Sequence, residues 1–71
     1  MSLNAVINDP RVMAPIKECG GKMYMSEKKW SKALEEMIEA FKNYSESGND
    51  RAKFILIMVI LASMLCSSDI N

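Results

Sequence analysis

Residues 17–25 read K-E-C-G-G-K-M-Y-M, which places two adjacent glycines, Gly20 and Gly21, inside a stretch of otherwise helical periodicity. A glycine in a helix interior costs about 1 kcal/mol relative to alanine, so the pair needs a physical reason. A phosphate cradle would set a strand before the glycines, space them more widely and follow the lysine with Ser or Thr. Here Met23 follows Lys22, and the preceding segment is helical in pattern. Close helix packing fits better. In tetratricopeptide-type repeats two antiparallel helices cross where small residues let the backbones approach. Counted from Gly21, Tyr24 lies three residues on, Ala33 twelve and Ala40 nineteen, with Met37 in the large apolar slot. The early Trp and Leu of that pattern are Lys17 and Gly20 here, and its closing Pro is Ser45. Gly21, Tyr24, Ala33 and Ala40 are therefore assigned to helix packing, with Gly21 meeting the second helix at the level of Ala33.

Working outward, Asn8-Asp9-Pro10 is a helix start, an Asx cap followed by proline in the first turn. Val12, Ile16, Cys19 and Met23 then recur on one face, and Pro15 falls early enough to bend the helix without ending it. Ser26 to Lys29 reads as a tight polar connection. From Trp30 a second helix carries Trp30, Ala33, Leu34, Met37, Ile38, Phe41 and Tyr44 on one stripe. Its solvent side holds Lys32, Glu35, Glu36, Glu39 and Lys42, spaced for Lys32–Glu36 and Glu39–Lys42 pairs. Ser45 to Asp50, with Gly48, ends this helix, and Asn49 or Asp50 caps a third running from about Arg51 to Cys66. Phe54, Met58, Leu61 and Leu65 form the stripe expected to face the core. Leu56, Ile57, Ile60 and Met64 lie on the far side, the candidate protein interface, through which the isolated chain is expected to self-associate. The fold expected is all-α, three antiparallel helices: a tetratricopeptide-like hairpin plus one further solenoid helix. Residues 1–8 read as a flexible N-terminus, with Met1-Ser2-Leu3 an expression remnant, and 9–71 as a fragment of a helical-repeat domain.

Composition excludes several functions. Nine basic and nine acidic residues cancel, leaving no electrostatic footprint for nucleic acid or anionic lipid. Histidine is absent, and with it the commonest general base and metal ligand. Cys19 and Cys66 match no zinc or thioredoxin spacing and read as reduced thiols packed as small hydrophobes. A thiol enzyme built on either would lack its histidine partner and a second nearby thiol. The apolar run Phe54 to Cys66 covers 13 residues, against about 20 for a bilayer span, so it reads as a core helix. No catalytic residue, cofactor site or metal site is expected, and no membrane. A membrane-seated peptide is the reading that detergent dependence would reveal.

The segments I-K-E-C-G-G-K-M-Y-M (16–25) and E-A-F-K-N-Y-S-E-S-G-N-D-R (39–51) also carry a resemblance. They are similar to the signalosome subunit 2 family, whose pattern runs I-R-E-C-G-G-K-M, then an aromatic and an alanine, then E-A-F-K-N-Y-D-E-S-G and Arg. Ile16, Glu18 to Met23, Glu39 to Tyr44, Glu46 to Gly48 and Arg51 match it. Lys17 stands where the family has Arg, Ser45 where it has Asp, and Ile57-Met58 where it has Lys-Tyr, while Leu61, Ala62, Met64 and Leu65 follow its L-A-x-M-L. The likeness covers about Val12 to Asn71. The family continues with N-P-F-D and a PCI domain, so the chain reads as an excised piece.

The resemblance implies a non-catalytic scaffold segment of the complex that removes a ubiquitin-like modifier from cullins, the isopeptidase belonging to another subunit. The partners implied are other signalosome subunits and cullin ligases, in cytoplasm and nucleus. The alternatives are a segment of the paralogous proteasome-lid subunit, which lacks the E-C-G-G-K-M run, or a free-standing small helical adaptor.

Overall fold

The computed structural model describes residues 9–70. They form three helices, α1 (Pro10–Ser26), α2 (Trp30–Glu46) and α3 (Arg51–Ile70), and no strand. The expectations for Asn8, for a flexible 1–8 and for Asn71 lie outside the described residues. Helix α1 starts as its cap chemistry dictates. The Asp9 carboxylate accepts from the Arg11 backbone N–H at 2.9 Å, and Pro10 fills the first position, where a missing N–H is harmless. The helix continues through Pro15 to Ser26.

Both connections use one device. At the end of α1, Lys29 N–H donates to the Tyr24 carbonyl at 2.9 Å and Lys28 N–H to Met25 at 3.0 Å. At the end of α2, Asn49 N–H donates to Tyr44 at 2.9 Å and Gly48 N–H to Ser45 at 3.1 Å. These crossed bonds are Schellman turns, which need a left-handed residue just past the helix. Gly48 fills that position at φ 71°, and Lys28 fills it at φ 61° despite its side chain. The Asn49 side chain then accepts from Arg51 N–H at 2.9 Å and caps α3.

The short turns fold α1 back on α2, so that Lys32 lies over the Tyr24 ring near the turn while Tyr44 reaches Glu18 away from it. The pairing is antiparallel. Helix α2 packs against both neighbours, whereas α1 and α3 hardly meet. The chain is one helix layer, 48 × 23 × 14 Å. Its core holds Ala14, Met37, Ala40, Tyr44 and Ile55, flanked by Met25, Phe41, Ala52, Met58 and Val59.

Several expectations are corrected. The Val12, Ile16, Cys19, Met23 face of α1 is its outer face, and all four are exposed. The buried side is Ala14, Glu18 and Gly21, because small residues and one satisfied carboxylate permit closer approach than a bulky stripe. Cys19 is therefore exposed and Cys66 half-buried, not packed as core residues. Charges on α2 pair between helices, with Glu36 at 3.4 Å from the Lys17 ammonium and Lys32 over Tyr24. Helix α3 continues four residues beyond Cys66 to Ile70. Phe54 and Leu61 are exposed while Ile55 and Ala62 are fully buried. At about 100° per residue, the core face of α3 lies a quarter turn from the Phe54–Leu65 stripe. The length argument against a membrane span also lapses. Arg51–Ser68 is long and apolar enough to cross one by length and composition, yet its Arg51 is ion-paired to α1 and its Ile55 is buried in the core.

Candidate protein-interaction surface

The one buried charge among the described residues is Glu18 of α1. Transferring a carboxylate out of water is tolerated only where its oxygens are satisfied, and here three helices supply the donors. Tyr44 of α2 donates its hydroxyl to Oε1 at 2.7 Å. Arg51 of α3 grips both oxygens, Nε donating to Oε1 at 2.6 Å and Nη2 to Oε2. Lys22, one turn along α1, sits 2.8 Å from Oε2. Arg51 holds the carboxyl far below the usual carboxylate range, with help from Lys22 and Tyr44 against the effect of burial. Burial, then the carboxylate itself, pushes the Tyr44 hydroxyl up. The Phe54 ring covers the outside of this cluster, 5.0 Å from the Arg51 guanidinium and 6.0 Å from the Lys22 ammonium. That contact holds Phe54 at the surface.

Periodicity gave no sign of this clamp, because Glu18 reads as an ordinary polar position. The available signal was its place on the small-residue line Ala14, Glu18, Gly21, where a surface glutamate has no reason to be.

Of the packing residues, Gly21, Ala33 and Ala40 are buried and Tyr24 is half-buried beneath Lys32. A Cβ at Gly21 would stand 2.8–2.9 Å from Met37, so the close approach is to Met37 rather than Ala33. A Cβ at Gly20 would come no nearer than 3.5 Å to Glu36, an ordinary contact.

The four interface candidates lie together on the side of α3 away from α2. Leu56 is 44% exposed, Ile57 62%, Ile60 53% and Met64 64%. Between them stand Lys53, Ser63 and Ser67, also exposed. An apolar helix face of this extent loses burial energy in water and marks a surface for another macromolecule. An open groove of about 590 Å³ lined by Arg11, Pro15, Tyr44, Asn49 and Arg51 has no cation to spare. Arg11 is held by Asp9 and Arg51 by Glu18. No group of three His, Cys, Asp or Glu among the described residues could hold a metal ion.

No protein-family model matches the chain. No solved structure matches it significantly. Curated proteins do. The COP9 signalosome complex subunit 2 of Dictyostelium discoideum is 49% identical over all 71 residues, which cover 16% of that protein. Its counterpart in Drosophila melanogaster is 44% identical over all 71 residues, and that in Neurospora crassa 41%. The chain thus spans about a sixth of the length of these relatives. Matched from end to end in amoeba, fly and fungus, the chain is homologous over its whole length to a segment of signalosome subunit 2.

Proposed function

We propose that the chain is a non-catalytic scaffold segment of a signalosome subunit, a piece of helical solenoid whose outer α3 face docks onto the neighbouring part of the complex. The observation that carries this is the apolar face Leu56, Ile57, Ile60 and Met64, set opposite the side of α3 that packs on α2. Each repeat of a solenoid leaves such a face for the next one to cover. The identical turns after α1 and α2 support the repeat reading, since they stack successive helices by one geometry. Through the complex, the segment serves the removal of the ubiquitin-like modifier from cullins, in cytoplasm and nucleus, with other signalosome subunits and the cullin ligase as partners.

The test grafts the chain in place of the matching segment of the Dictyostelium discoideum subunit and reconstitutes the complex. Ile57→Asp and Ile60→Lys together should abolish incorporation, while Glu39→Lys, on the exposed side of α2, should leave it intact. Normal incorporation of the double variant would overturn the reading. Alkylating Cys19 and Cys66 should change neither incorporation nor deneddylation. Loss of an activity on alkylation would point to a thiol enzyme instead.

A further inference from the structure

Helix α3 has apolar side chains at almost every angle. At about 100° per residue, Ile55, Val59 and Ala62 point to α2; Phe54, Met58, Leu61 and Leu65 lie a quarter turn to one side; and Leu56, Ile57, Ile60 and Met64 point away. Burial of apolar area is non-directional, and the second stripe offers α2 bulkier residues than the one it holds. Hydrophobicity alone therefore does not decide which side of α3 turns inward, nor which side a partner meets.

We propose that the Glu18–Arg51 ion pair sets the rotational phase of α3, making Glu18 and Arg51 the positioning residues that choose the face exposed for docking. Arg51 is the first residue of α3 and lies on the same side as Ile55 and Ala62. Its two-pronged grip on Glu18 is directional, because Nε and Nη2 reach both carboxylate oxygens together only when the planar guanidinium faces the carboxylate edge to edge. Turning α3 by a quarter to bring the Phe54 stripe inward would carry Arg51 off the carboxylate. It would also strip the Phe54 ring from the Arg51 guanidinium. The buried carboxylate would then lack its strongest partner, and that penalty falls on the alternative phase alone. Replacing both members of a buried ion pair by apolar or neutral groups is often close to neutral for stability, so the double replacement keeps the fold. The device works whatever partner covers the outer face.

Adjacent positions Leu61 and Ala62 report the phase, since Leu61 is exposed and Ala62 fully buried. Single cysteines, Leu61→Cys or Ala62→Cys, are placed in the 71-residue chain carrying Cys19→Ser and Cys66→Ser, and alkylation is timed in dilute solution. With the pair intact, position 61 should react about ten-fold faster than position 62 or more, as expected for an exposed against a buried site. Glu18→Gln with Arg51→Met, which leaves Tyr44 an acceptor, should bring the two rates within about three-fold while helix content stays unchanged. An undiminished ratio in that double variant would overturn the proposal. So would loss of its helix content, because the pair would then supply stability and not phase.

Discussion

At the scale of single residues the two adjacent glycines have different reasons to be there. Gly21 faces Met37, whose Sδ and Cγ would lie 2.9 Å from a new Cβ. Met37 is fully buried, so it could give way only by shifting inside a packed core. Gly21→Ala should therefore lose stability in spite of better helix propensity, by up to about 2 kcal/mol, and Gly21→Leu should lose more. Gly20→Ala meets only ordinary contacts and should gain up to about 1 kcal/mol. Urea unfolding of the three variants checks the order, and equal effects at positions 20 and 21 would contradict the close crossing. Lys28 is the converse case. It holds a left-handed φ that a side chain disfavours, so Lys28→Gly should raise stability by about 1 kcal/mol. The same substitution of a lysine on the exposed side of α2, Lys42→Gly, should lower it.

Among the elements, α2 was the most legible. Its stripe of Ala33, Met37 and Tyr44 is buried as the 3.6-residue period demands, because polar and apolar positions divide cleanly around it. Helix α1 was legible in extent but not in facing. Its bulky residues point outward and its inner line combines Ala14 and Gly21 with a charged residue, a pattern that hydrophobicity reads backwards. Helix α3 was legible as a helix, yet with apolar residues at almost every angle it carries no clear periodic signal of its inward side, and the choice falls to the polar contact at Arg51. That contact also makes stability depend on acid. The Glu18 carboxyl titrates in the folded chain far below its ordinary value of 4.5, chiefly because of Arg51. A depressed carboxylate contributes stability that is complete above its ordinary value and is lost as pH falls towards the folded one. Below about pH 4.5 the Tm of the chain should fall more steeply than that of Glu18→Gln, and the gap between them should narrow steadily as the pH drops further. Parallel curves would mean that Glu18 is not ionised and clamped. Tyr44→Phe, which removes one donor to the same carboxylate, should cost about 1.5–3 kcal/mol at neutral pH.

For the molecule as a whole, a single layer of helices about 14 Å deep cannot hide both sides of its last helix. Helix α3 buries Ile55 and Ala62 on α2 and leaves Leu56, Ile57, Ile60 and Met64 in water. Each of those side chains forgoes part of the roughly 1.5–3 kcal/mol that full burial of such a group contributes. A second copy offers the same surface, and two such faces related by a two-fold axis are self-complementary without further design. With nine cationic and nine anionic residues there is no net repulsion to hold copies apart. The isolated chain should therefore sediment as a dimer or larger species at micromolar concentration, and Ile60→Lys should shift it towards monomer. The shift should occur equally with and without mild detergent, since the face is read as a protein surface and not a lipid-seated one. Association that vanishes in detergent, or a monomer with Ile60 intact, would show that α3 is built to meet something other than a helix like itself.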